Sequence, residues 1–129
     1  MGIIYTIHAV FGERVLPLLI VLAAVYLTIT WRPDARPGLV ARLFAVLVDI
    51  QVALGVIYFI YGIVAGAAAN YLSFPFLLHP ILGLVAAGVA HLAVRPGGLA
   101  RGLGRWSALA ALVVLLVIVI GNVWLAGLA

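Results

Sequence analysis

Apolar residues fall into four long, nearly unbroken stretches, roughly residues 3–30, 43–66, 75–94 and 106–128. Short connections rich in arginine, proline and glycine separate them. A helix rising 1.5 Å per residue needs about 20 residues to cross ~30 Å of hydrocarbon, and each stretch holds about that many. Runs this long and continuous suit helices, which satisfy their own backbone polar groups, rather than the short alternating strands of a barrel. The pattern predicts an all-α membrane protein, one domain of residues 1–129 with four transmembrane helices in an up-down-up-down bundle. Nothing in this reading suggests an internal repeat.

Composition strengthens the picture. The chain is 68% hydrophobic and 8% charged, with mean hydropathy +1.40, so lipid must be the solvent for most of it. There are no cysteines, which excludes disulfides, thiolate-held clusters and c-type haem attachment. The formal charge of +4 comes from arginines gathered mainly in two loops, where they serve topology rather than nucleic-acid binding. No nucleophile–base constellation or phosphate loop is present. The first apolar run is not preceded by positive charge and is interrupted by Glu13 and Arg14, so the first helix is expected to be retained rather than removed as a signal.

The loops set an expected orientation. Residues 31–42 carry Arg32, Arg36 and Arg42, residues 95–105 carry Arg95, Arg101 and Arg105, and residues 67–74 carry no charge. The positive-inside rule places the two arginine loops in the cytoplasm and both termini outside, in a bacterial inner membrane. The third helix needs to start at Pro75, with Ser73 as its cap, to span comfortably. Pro80 would then lie inside it and kink it beside His79, and Pro17 would disturb the first helix in the same way.

Polar residues inside these stretches carry the candidate chemistry. Counting from the arginines puts Glu13, Arg14, His79, Asn122, Tyr58 and Tyr61 in the outer half, and Asp49, Gln51 and His91 in the inner half. Unpaired polar groups in hydrocarbon cost several kcal/mol, so both layers are expected to face the bundle interior. A b-type haem needs two neutral imidazoles approaching one iron from opposite sides, and diagonal helices of a bundle can supply them. His8 and His79 are the candidate ligands, with Arg14 as partner for a propionate. One count opposes this: His8 lies ~36 Å along its helix from Arg32, whereas His79 lies ~24 Å from Arg95. His91 has no second histidine at its depth, so at most one such haem is available. An Asp49–His91 hydrogen bond, structural or part of a proton relay, is expected instead. The plainer alternative for His79 is a bond to Tyr or Asn that holds helices together.

His8 in the first helix, DIQVALGVIYFIYG in the second and LHPILGLVAAGVAH in the third resemble the small bacterial membrane cytochromes b and their four-helix relatives. That resemblance covers about two thirds of the chain. It implies haem b, electron transfer, and His8 and His79 as ligands; the sequence departs from the two-haem pattern in lacking a second histidine pair. A second resemblance, to small multidrug resistance transporters, rests on length, four helices and Glu13 in the first helix, and implies a proton-coupled site. A third reading is a non-catalytic accessory subunit of a larger respiratory or photosynthetic membrane complex. All three expect the lipid bilayer, and the first and third expect other membrane subunits, as partners.

Overall fold

The computed structural model describes residues 2–33, 36–74, 76–95 and 101–128. They form four helices, and no strand occurs among them. Helix α1 is Gly2–Ile29 and α2 is Leu39–Tyr71; α3 is Leu78–Val94 and α4 is Ser107–Leu128. A 3₁₀ segment, Arg101–Trp106, leads into α4.

Proline and glycine decide where these helices deviate. In α1 the residues Phe11–Val15 form a π-helical turn, with the Leu16 N–H bonded to the Phe11 carbonyl. Pro17 follows at once; it has no N–H for the Glu13 carbonyl, and the wider turn absorbs that misfit. Helix α2 runs further than its apolar stretch, through a second π turn at Ile63–Ala67. There Gly66 takes φ 93°, a left-handed conformation that glycine adopts without steric cost. Beyond this bend the Tyr71 ring folds back onto Gly62, where any Cβ would collide with it.

The start of α3 differs from the expectation. Residues 76 and 77 are turn, with Leu77 N–H bonded to Ser73 O at 2.9 Å and His79 N–H to Phe76 O at 3.0 Å. The Ser73 hydroxyl donates backward to Asn70 O at 2.6 Å and does not cap α3; the expected start at Pro75 lies outside the described residues. Because the helix begins at Leu78, Pro80 sits in its first turn, where a backbone N–H has no intrahelical partner anyway. No kink beside His79 is needed.

Each helix packs on its two neighbours: α1 on α2 and α4, and α3 on α2 and α4. That leaves α1 and α3 diagonal across the bundle. Ile20, Val48, Leu112 and Leu115 fill the centre, and Ala23, Ala86, Ala90 and Ala111 let the helices approach closely. Large apolar residues also point outward, among them Ile29, Val64 and Val117, as suits a lipid surround. Three of the helices are long and apolar enough to cross a membrane; α3, with 17 residues, is shorter.

Candidate functional site

His8 of α1 is tied to α2 by two bonds between the same pair of residues. Its Nδ1 lies 3.1 Å from Gln51 O, and Gln51 Nε2 donates to His8 O at 2.8 Å. His79 of α3 is tied to α4 in the same manner: Nδ1 lies 3.3 Å from Asn122 O, and Asn122 Nδ2 donates to His79 O at 3.1 Å. A carbonyl oxygen only accepts, so in both residues Nδ1 must carry the proton. In a neutral imidazole Nε2 is then a bare lone pair, free to bind a metal or accept a proton.

The two imidazoles meet across the bundle, ring centres 5.9 Å apart and planes at 86°. Glycine makes room for this. A Cβ at Gly55 would come 2.7 Å from His8 Cε1, and one at Gly12 would come 2.5 Å from Gln51 Nε2. Both contacts are too close to tolerate without a shift, so the bare residue lets α1 and α2 approach.

Around the pair lies a cavity of about 530 Å³, within the ~300–1,000 Å³ usual for small-molecule and cofactor sites. Its wall is mostly apolar, from Leu16, Val48, Val52, Val119 and Val123 among others. One end is closed by aromatic rings. Tyr71 packs on Phe76 at 4.7 Å, and Tyr58 lies 5.3 Å from Tyr5 and 6.1 Å from Tyr71.

No family model matches the chain, and neither a curated protein nor a solved structure matches it. The site's own chemistry therefore carries the reading. Two imidazoles hydrogen-bonded through Nδ1 and lining one mostly apolar cavity are a donor pair that could hold a cofactor-borne metal. They do not fit a structural metal centre built on several ligands: among the described residues no group of three or more His, Cys, Asp or Glu gathers.

The other candidate residues lie elsewhere or at the edge. Glu13 lines the cavity, while Arg14, on the same π turn, does not; both side chains are exposed. The propionate partner proposed from sequence is thus absent from the cavity wall. His91 Nε2 donates to Asp49, at 2.9 Å from Oδ2 and 3.1 Å from Oδ1, and the side chains are 48% and 45% exposed. This pair sits on an outer face between α2 and α3, so the expectation that every polar residue turns inward is corrected. Its pairing makes the outward position tolerable, and nearness to the arginine end keeps it close to water.

Gln51 is the residue that sequence reasoning misplaced. Depth counting grouped it with Asp49 and His91, whereas it contacts His8. The count also overstated the height of His8. The His8 and His79 rings lie 5.9 Å apart, so heights counted from Arg32 and from Arg95 do not compare directly. The oxygens Gln51 Oε1 and Asn122 Oδ1 are buried without a partner, which leaves each amide committed through its nitrogen alone.

Proposed function

We propose that the protein is an integral membrane electron carrier that holds one b-type haem between His8 and His79. The observation that carries this reading is the facing pair of imidazoles, each with Nδ1 on a backbone carbonyl and Nε2 bare. In this reading the four helices, α3 included, cross the membrane as an up-down-up-down bundle with both termini outside the cytoplasm. Arginine loops at the other end support that orientation.

When bound, haem supplies reversible one-electron chemistry. The chain's residues bind and orient it. His8 and His79 offer lone pairs whose direction is fixed by the Gln51 and Asn122 carbonyls, and the apolar wall excludes water. Tyr5, Tyr58, Tyr71 and Phe76 close one end. Electrons would pass to and from other membrane subunits, and a bacterial inner membrane suits this.

Two further readings remain as proposals. Glu13 on the cavity wall favours a small proton-coupled transporter, in which a cationic apolar substrate would compete with a proton for that carboxylate. The accessory-subunit reading draws on the outward apolar faces and needs no cofactor. Titration of the haem-free protein with hemin separates them: one equivalent taken up with a sharp Soret band, and lost in His8→Ala, supports the carrier. Absence of uptake would remove it.

A further inference from the structure

Both histidine–amide pairs span the same 43 positions. Adding 71 to a residue number carries one pair onto the other: His8 becomes His79 and Gln51 becomes Asn122. The same shift takes Tyr5 to Phe76, Gly12 to Gly83, Val48 to Val119 and Val52 to Val123. In motif form, α1 and the start of α3 share [YF]-x-x-H-x-x-x-G, and α2 and α4 share V-x-x-[QN]-V-x-L. Matches of valine to valine are cheap in such helices. Matches of imidazole to imidazole and amide to amide are not, because the chain has three histidines, one glutamine and two asparagines.

Three-dimensional placement agrees with the arithmetic. All six pairs line the single cavity described above, and the two clamps use the same atoms in the same sense. The expectation of no internal repeat is therefore overturned. It failed because the positions that match under this shift are few, cluster around the site and are mostly apolar in helices where apolar matches are common. Two hairpins repeated in the same order are related by an axis running along the bundle, between His8 and His79.

We propose that the chain is two versions of one helical hairpin, in which Gln51 and Asn122 are equivalent positioning residues that aim His8 and His79 at one shared ligand. Each amide locks its neighbour helix at the carbonyl of the histidine, while the histidine locks its ring at the carbonyl of the amide residue. Rotation or sliding of either helix breaks both bonds at once, so ring direction and helix register are set together. The halves differ where Gly55 meets Ala126 and Glu13 meets Leu84, so the ligand is gripped evenly at its centre and unevenly at its rim. That the ligand is haem rests on the function proposed above; the equivalence of the two clamps does not.

The test is nitrogen NMR of the haem-free full chain, labelled at histidine and held in detergent micelles. His8 and His79 should give matching signals with Nδ1 protonated and Nε2 bare, and His91 should differ because its Nε2 serves Asp49. Gln51→Leu keeps the backbone carbonyl that His8 Nδ1 binds but removes the amide that holds the two helices in register, so it should shift the His8 signal toward a mixture of tautomers. Asn122→Leu should do so for His79, and each should leave the other histidine unmoved. Gln51→Asn and Asn122→Gln, which keep the amide and the fold, should retain the single tautomer in part. Different tautomers at His8 and His79 in the unaltered protein would overturn the proposal, as would leucine variants that move neither ring. Hemin added to the same samples separates the two ideas. Matched tautomers without hemin uptake would end the haem reading and leave the duplicated clamp standing.

Discussion

His8 and His79 come from diagonal helices that otherwise scarcely touch, yet their rings stand edge to face with centres 5.9 Å apart. Neither ring bonds the other. Each is held by the helix beside it, through Gln51 on α2 and Asn122 on α4. The meeting point is thus fixed by neighbours, on the wall of the cavity that both rings line.

The close fit at Gly55 makes a sharp prediction. Gly55→Ala places a methyl 2.7 Å from His8 Cε1, and overpacking of this kind costs roughly 1–3 kcal/mol where the ring cannot yield. We expect Gly55→Ala to weaken hemin binding at least tenfold. At Gly88, outside the cavity lining, the same methyl would meet nothing within 4 Å, so Gly88→Ala should bind hemin as the unaltered protein does. Parallel titrations of the two variants decide the matter.

Asp49 and His91 should matter little to stability. Both side chains are nearly half exposed, and exposed ion pairs contribute roughly 0–1 kcal/mol. Asp49→Asn is expected to leave the unfolding midpoint in denaturant almost unchanged and hemin uptake intact. A large loss of either would mean that the pair is part of the site.

In the core, Leu115 is fully buried whereas Val117, two residues on, is 66% exposed. Leu115→Ala should cost about 2–5 kcal/mol through lost burial and the cavity left behind. Val117→Ala should stay within about 0.5 kcal/mol. Equilibrium unfolding in mixed micelles would read both, and equal losses would place Val117 in an interface rather than against lipid.

The helices were legible because crossing a bilayer imposes length, and the apolar stretches that became α1, α2 and α4 carry that length in plain view. The start of α3 was not, because Pro75 and Pro80 are both acceptable near a helix N-terminus and a span-length argument favours the wrong one. His8 and His79 stood out as rare imidazoles in apolar surroundings. Their partners did not, since depth counted from a loop arginine contains no information about the angle of a side chain around its helix. For the same reason Asp49 and His91 could be matched in depth while the face they occupy stayed hidden. The repeat that would have found Gln51 and Asn122 was present in the residue numbers throughout, hidden among helices where apolar matches carry no signal.

The most direct test of the central claim is a reduced-minus-oxidised absorption spectrum of the protein purified from cells with ample haem, taken beside His8→Ala and His79→Ala. The account predicts a b-type α-band in the unaltered protein and its loss or conversion to a one-ligand spectrum in both variants. A flat spectrum, or a band that survives both substitutions, would contradict it.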